Sequence, residues 1–197
     1  MAGTSAVDAG RGRLRVSQLA VSVLAAPPRL GGVTLVCVDG PSGAGKTTLA
    51  GALAGSLPGA VVLHMDDLYD GWAGLATVWP RVEDQVLGPL GAGEPARWRR
   101  YDWSLGRFDR WHELPVPAVL VLEGCGSAPR AVRGRASCVV WVDAPATVRH
   151  RRAADRDGPR LDPRLEEWWR TEEEYFAVER PSEHADVHVD GSVGWDR

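Results

Sequence analysis

A glycine-rich segment at residues 40–47, Gly-Pro-Ser-Gly-Ala-Gly-Lys-Thr, is the part of the chain whose residue types and spacing most clearly predict chemistry. It follows the apolar, β-branched run at 33–38 and precedes residues 49–57, which favour a helix. Between a strand and a helix, this motif predicts a loop whose backbone N–H groups surround a phosphate at the helix N-terminus. A glycine-rich turn that matches by chance is the alternative, and the order of strand, loop and helix argues against it.

The loop predicts binding of a nucleoside triphosphate, ATP, together with Mg²⁺. We expect Lys46 to reach the β- and γ-phosphates and the Thr47 hydroxyl to bind Mg²⁺. Lys46 is the only lysine in the chain, so a compact ammonium group is kept where it fits between phosphates better than a planar guanidinium does. The residues predicted to bind ATP in this segment are Gly40, Pro41, Ser42, Gly43, Ala44, Gly45, Lys46, Thr47 and Thr48.

Acidic residues close two of the other predicted strands. Asp66 and Asp67 follow the strand predicted at 60–65, and Glu123 follows the one at 118–122. Phosphoryl transfer needs a base for the acceptor hydroxyl and acidic groups for Mg²⁺. We expect the aspartates to supply the base and Glu123 to hold the metal, with Asp66 as a further metal candidate. Neighbours on an extended strand point to opposite sides, so only one aspartate is expected to face the γ-phosphate. Solvated carboxylates are the alternative.

Three arginines recur on one face of the helix predicted to begin at residue 145. Arg149, Arg152 and Arg156 are spaced at i, i+3 and i+7, and the loop 155–160 follows. This pattern predicts a lid around 149–163 that brings guanidinium groups onto the phosphates, so Arg149 and Arg152 are also expected to bind ATP. A solvated helix face is the alternative.

Apolar strands alternate with helices along the chain, which predicts an α/β protein with the three-layer P-loop NTPase fold. We expect a parallel sheet of about five strands, covered by helices on both faces. The strands are predicted at 33–39, 60–65, 118–122, 137–142 and 185–189, and the helices at 49–57, at about 80–90, from 145 and from 163. Residues 97–111 show no clear period. In such sheets the chemistry lies at the carboxyl ends of the strands.

Length and charge restrict the classes of function. The 197 residues predict one domain at 31–197, which carries the phosphate loop and the lid, preceded by an N-terminal extension at 1–30. A net charge of −3 argues against a nucleic-acid partner, and no segment is apolar enough for a membrane span. Three scattered cysteines favour a reducing, cytoplasmic location, and a homo-oligomer stays open. In the extension, one face of a short amphipathic helix is predicted from Leu14, Val16, Leu19, Val23 and Leu24.

With these residues in place, the chain resembles the uridine kinase and phosphoribulokinase branch of the P-loop small-molecule (nucleoside) kinases over residues 33–191. The resemblance rests on the segments at 39–47, 66–69, 100–103, 122–124, 149–157 and 185–187. It implies that Asp66 is the catalytic base and that Lys46, Arg152 and Arg156 act on the transferring phosphoryl group. The substrate-binding residues that it implies are Tyr69, Tyr101, Trp103, Arg156 and Arg160.

The acceptor is where the chain departs from that family. Gly106 stands where uridine kinases have a histidine that reads the pyrimidine, and the lid tip is shortened, which leaves Arg160. The resemblance still implies transfer of the γ-phosphate of ATP to a hydroxyl of a small molecule, with a pyrimidine nucleoside as the best candidate.

Other functions stay open at this point. A nucleoside monophosphate kinase, or another P-loop small-molecule kinase, is an alternative because Arg97, Arg99 and Arg100 could bind an acceptor phosphate. An ATP-hydrolysing switch or regulatory NTPase is the alternative from another class. A GTPase is not expected, because the chain has no asparagine and no second lysine for a guanine-reading motif.

Overall fold

The computed structural model describes residues 14–157 and 163–196. The elements of its first half are, in chain order, β1 (Leu14–Arg15), α1 (Val16–Ala25), β2 (Thr34–Asp39), α2 (Lys46–Gly55), β3 (Ala60–His64), α3 (Trp79–Val82) and α4 (Gly88–Gly91). Those of its second half are β4 (Ala96–Asp102), β5 (Arg107–Leu114), β6 (Val119–Glu123), β7 (Cys138–Asp143), α5 (Ala146–Asp157), α6 (Pro163–Glu179), β8 (Val187–Asp190) and β9 (Trp195–Asp196).

Five of the strands form one parallel sheet in the order β3-β6-β2-β7-β8. The central strand β2 pairs with β6 on one side and with β7 on the other. Because the paired strands are parallel, their carboxyl ends share one edge of the sheet, where the glycine-rich loop meets the residues that follow β3 and β6. The predicted fold, a parallel sheet of about five strands between helices, is confirmed.

Alternating side chains of β2 divide the core into two parts. Leu35 and Cys37 belong to the core on one face of the sheet, together with residues of α3, α4 and α6. Val36 and Val38 belong to the other, together with α1 and α2. None of the helices in the described ranges is both long and apolar enough to cross a membrane.

The helix α1 lies in the segment for which an amphipathic helix is predicted, but two residues of its predicted face are wrong, because Leu14 precedes the helix in β1 and Leu24 is exposed. Val16, Leu19 and Val23 are buried against α2, whereas Leu24 is 57% exposed. Leu24 directly follows Val23, and one step along a helix turns a side chain by about 100° from its neighbour. The domain boundary near residue 30 stays a prediction.

Residues 97–111, which have no clear period in the sequence, form the antiparallel hairpin of β4 and β5. Trp98 and Tyr101 are its buried residues in that part of β4, three positions apart rather than two. The pairing register shifts between Arg99 and Tyr101, and an irregularity of this kind breaks the alternation by which a strand is recognised.

The end of β3 and the helix predicted at 80–90 both differ from expectation. β3 ends at His64, and Met65–Asp67 forms a 3₁₀ turn, so Asp66 and Asp67 do not lie on an extended strand. The strand geometry that would send their side chains to opposite sides is therefore absent at these two residues. The helical segment that follows is interrupted between α3 and α4 by a π-helical turn at Glu83–Leu87.

Candidate active site

The glycine-rich loop connects β2 to α2, and Lys46 is the first residue of α2. The Lys46 ammonium group donates a hydrogen bond of 2.9 Å to the carbonyl oxygen of Pro41, at the start of the loop. Lys46 is only 8% exposed. Burial acts to lower its pKa, but the nearby carboxyl groups of Glu172, Glu123 and Asp39 act to raise it, and the net shift is upward. The single lysine therefore stays charged where the loop is predicted to hold phosphate.

Gly40 packs so closely against the backbone of β7 that its position has no room for a side chain. Its φ is +139°, and a Cβ atom there would lie 1.9 Å from the carbonyl oxygen of Val142. Gly40→Ala is therefore expected to lower the free energy of unfolding by at least about 3 kcal/mol, through backbone strain and a clash with rigid backbone. Urea unfolding followed by circular dichroism measures this loss.

Gly51 in α2 provides the matched control for that substitution. Apart from its chain neighbours and the backbone of its own helix, no atom lies within 4 Å of its would-be Cβ. Gly51→Ala should raise the free energy of unfolding by about 0.5–1 kcal/mol, because alanine favours a helix interior more than glycine does. A Gly40→Ala protein as stable as wild type would contradict the close contact with Val142.

Glu123 closes β6 beside the loop, where the sequence predicts a metal-binding carboxylate. Its Oε1 atom accepts a hydrogen bond of 3.1 Å from the Thr47 hydroxyl. The same oxygen is hydrogen-bonded to Nδ1 of His64 at the end of β3, and this bond raises the pKa of His64. Parallel pairing of β3 with β6 brings the imidazole of His64 to the carboxylate of Glu123, and the first turn of α2 adds the Thr47 hydroxyl.

The chemistry of these groups fits Mg²⁺. This cation prefers oxygen ligands and binds through one or two side chains, with water and phosphate oxygens completing its octahedron. Thr47 and Glu123 supply such oxygens within hydrogen-bond distance of each other. Across residues 14–157 and 163–196, no three His, Cys, Asp or Glu side chains are grouped to hold a metal, so phosphate and water would have to complete the site.

The two aspartates after β3 have different surroundings. Oδ1 of Asp67 accepts a hydrogen bond of 2.9 Å from the Arg100 guanidinium in β4. Although Asp66 has an exposed surface, protein atoms around its carboxyl group reduce the hydration of that group and raise its pKa. The charge of Glu123 adds to this rise and that of Lys46 opposes it. Asp67 is thus paired with an arginine, whereas the carboxyl group of Asp66 responds to the charges of Lys46 and Glu123.

Asp39 is fully buried at the end of β2 and accepts a hydrogen bond from the glycine-rich loop. Its carboxyl oxygens accept hydrogen bonds from the backbone N–H groups of Gly40, Gly126 and Ala128, at 2.7, 2.8 and 2.9 Å. Burial raises its pKa to about 6, although these three bonds and Lys46 oppose the rise. Asp39 therefore joins the glycine-rich loop to the segment that follows Glu123.

The structure describes the side chains of two of the four predicted lid arginines, and one of them, Arg152, bonds to the glycine-rich loop. The Arg149 guanidinium donates to the carbonyl oxygen of Ala144 at 3.0 Å. Arg152 donates to the carbonyl oxygens of Gly43 at 2.9 Å and of Gly191, beyond β8, at 2.8 Å. It also lines a cavity of about 220 Å³ over the loop. The side chain of Arg156 and all of Arg160 lie outside the described residues, and their roles stay predictions.

The residues predicted to bind the acceptor differ in how accessible they are. Tyr69 is fully buried, and its hydroxyl donates a hydrogen bond to the carbonyl oxygen of Cys125, so it lies in the core rather than in the cleft wall. Trp103 is 41% exposed, and its indole N–H donates to the carbonyl oxygen of Asp66 at 3.0 Å. Tyr101 packs edge to face against Trp103. The hairpin thus brings Tyr101 and Trp103 beside the candidate base.

Sequence reasoning missed four residues that contact this site. His64 and Cys125 flank Glu123 and Lys46, and Trp168 and Glu172 reach the loop from α6. Glu172 is 130 positions from the Ser42 amide that it contacts. In the sequence it is one of three consecutive glutamates on a helix, a pattern that indicates a solvated face.

Comparisons with known proteins identify the fold of the chain. No protein-family model matches the chain, and no curated protein does. Among solved structures, a protein described as a possible uridine kinase from Bacillus stearothermophilus matches with a TM-score of 0.68 at 22% identity, over 89% of this chain and 97% of that chain. The chain has the fold of a P-loop kinase.

A second solved structure supports the same fold. It is described as a fructose transport system kinase from a Silicibacter species, and it matches the P-loop kinase fold of this chain with a TM-score of 0.59. The identity is 20%, and the match covers 89% of this chain and 98% of that one. The resemblance to P-loop small-molecule kinases is thus confirmed at the level of the fold.

Proposed function

We propose that this protein is an ATP-dependent kinase that transfers the γ-phosphate of ATP to a hydroxyl of a small molecule, with a pyrimidine nucleoside as the first candidate. The observation that carries the proposal is the convergence of Lys46, Thr47 and Glu123 at one edge of the sheet, with Asp66 close enough to respond to their charges. A cation, a metal-binding hydroxyl and two acids are the groups that phosphoryl transfer requires. Two structures described as kinases share the fold.

In the proposed reaction, the acceptor oxygen forms a bond to the γ-phosphorus as the bond from that phosphorus to the β-bridging oxygen breaks. Asp66 takes the proton of the acceptor hydroxyl, and its raised pKa makes the carboxylate a stronger base than an ordinary aspartate. The Lys46 ammonium group balances negative charge on the phosphate oxygens. Mg²⁺, held by Thr47 and Glu123, would neutralise further phosphate charge when bound.

An uncharged acceptor fits better than a nucleoside monophosphate, because the hairpin arginines already have partners. Arg100 pairs with Asp67, and Arg97 lies 3.5 Å from Glu113. Arg99 donates to the carbonyl oxygens of Asp109 and Phe108 at 2.9 and 2.8 Å. These pairs neutralise or occupy the groups that would have to bind an acceptor phosphate.

The aromatic side chains near Asp66 support an acceptor with a planar ring. Trp103 packs edge to face against both Tyr101 and Trp72, and Trp103 is partly exposed. The exposed indole of Trp103 can stack on a base, whereas a small acid offers it little surface. The matching structure described as a possible uridine kinase supports the same choice.

A ligand screen followed by an acceptor-dependent assay tests the proposal. Thermal shift with a non-hydrolysable ATP analogue and Mg²⁺ would rank nucleosides, nucleoside monophosphates and sugars by their increase in Tm. The highest-ranked compound should then stimulate ADP release and gain a phosphate that mass spectrometry detects. ATP turnover that no small acceptor changes would contradict the kinase and favour the regulatory NTPase.

A further inference from the structure

Glu172 is a buried acid that the proposed reaction does not use. It lies in α6 and is only 2% exposed, whereas Glu173 and Glu174 beside it are exposed. Its carboxyl group accepts hydrogen bonds from the backbone N–H of Ser42, at 3.0 Å for Oε1, and from the Ser42 hydroxyl. A protein carboxyl group thus already occupies a backbone N–H of the phosphate loop.

Two further donors hold this carboxyl group in place. The indole N–H of Trp168, one helical turn earlier, donates to its Oε1 atom. The Cys125 thiol donates to the same oxygen at 2.8 Å. Burial raises the pKa of Cys125 well above its ordinary value, so the thiol keeps its proton and remains a donor. Four donors therefore converge on one buried side chain from a distant helix.

The carboxyl group of Glu172 lies at the end of the loop that the Lys46 ammonium group reaches, since Lys46 donates to Pro41, next to Ser42. Cys125 Sγ, which contacts Glu172, is 3.6 Å from the Lys46 ammonium nitrogen. In loops of this type the lysine reaches the β- and γ-phosphates. Glu172 is therefore placed toward the terminal phosphates of a bound triphosphate rather than toward its base.

We propose that Glu172 competes with the γ-phosphate for this end of the loop, and that triphosphate binding requires its carboxyl group to leave the Ser42 amide. The inference rests on the proposed function only in that the loop binds a nucleoside triphosphate. Two anions on one amide repel each other, and like charges in contact are strongly unfavourable at a buried site. A diphosphate lacks the group that meets Glu172, so its binding is opposed much less.

Glu172→Gln tests the competition, because glutamine keeps the shape of the side chain and removes its charge. Isothermal titration calorimetry with AMPPNP and with ADP, both with Mg²⁺, gives the two affinities. We expect the variant to bind AMPPNP at least about tenfold more tightly than wild type, and ADP within about threefold of wild type. Glu173→Gln makes the same change of charge at an exposed neighbour and should leave the ratio of the two affinities unchanged.

The proposal and the function on which it rests fail in different ways. If wild type binds neither nucleotide, the phosphate loop is misassigned and both are overturned. If wild type binds both, and Glu172→Gln either leaves the ratio unchanged or weakens AMPPNP binding, only the competition is overturned. In the latter case Glu172 supports the loop instead.

A measurement on the wild-type side chain covers the case in which Glu172→Gln does not fold. Trp168 donates to both Glu172 and the Ser42 hydroxyl, so its environment reports on this contact. In protein labelled with 5-fluorotryptophan, the ¹⁹F resonance that is missing in Trp168→Phe identifies this residue. It should shift more with AMPPNP than with ADP, and equal shifts would overturn the competition.

Discussion

Lys46→Ala is expected to reduce kcat by about 10³-fold or more, because no other lysine can place an ammonium group on the β- and γ-phosphates. Lys46 begins α2 behind the glycine-rich loop, and its pKa is raised, so it carries a full positive charge at neutral pH. Steady-state kinetics with the acceptor found in the ligand screen measures the loss. Turnover near that of wild type would show that the loop is not the ATP site.

Lys46→Arg separates the charge from the shape of the group that carries it. Arginine keeps the positive charge, but its planar guanidinium does not fit where a compact ammonium group meets the Pro41 carbonyl and the Cys125 thiol. We expect at least about 10²-fold lower kcat for Lys46→Arg than for wild type. Because Lys46 is surrounded by acids, Lys46→Ala also leaves buried carboxyl groups uncompensated, so Tm is recorded for both variants.

The phosphate loop and the sheet edge could be predicted because their signals are local. Residues 40–47 form a contiguous motif, and the apolar strands before Asp39 and Glu123 indicate a parallel sheet that brings their ends together. Each inference needs only residues that are adjacent in sequence, plus a rule about where parallel strands end. Thr47 and Glu123, 76 positions apart, meet as that rule requires.

Contacts between distant elements could not be predicted in this way. Nothing near Glu172 in the sequence indicates that α6 carries it to Ser42, because that contact depends on how the helix packs across the sheet. The hairpin was missed because the irregularity between Arg99 and Tyr101 breaks its alternation. The 3₁₀ turn at Met65–Asp67 was missed because the pattern of a strand does not mark the residue at which it bends.

The second large effect is expected at the two aspartates of that turn, of which one is predicted to be the base. Asp66→Asn should lower kcat by about 10²–10⁴-fold, the usual contribution of general-base catalysis, because asparagine cannot take the acceptor proton. The affinity for ATP should change little. Steady-state kinetics with the acceptor found in the screen gives kcat, and calorimetry with AMPPNP gives the affinity.

The pH dependence of kcat provides a second test of Asp66. The base must be ionised to accept a proton, so activity falls as pH drops through its pKa. Because reduced hydration and the charge of Glu123 raise the pKa of Asp66, this fall should begin at a higher pH than for an ordinary aspartate. The residual activity of Asp66→Asn should lack the fall, and a profile unchanged from wild type would exclude Asp66 as the titrating group.

Asp67→Asn is the matched control, since it makes the same change one residue away in the same turn. Asp67 accepts a hydrogen bond from Arg100, and an asparagine oxygen can still accept it, so the hairpin keeps its contact with the turn. We expect kcat within about tenfold of wild type, as for a group outside the reacting geometry. If Asp67→Asn proves the more costly change, Arg100 has to release Asp67 on substrate binding, and the assignment of the base moves by one residue. If neither substitution matters, the reaction does not use a base in this turn, and the proposed kinase mechanism is wrong.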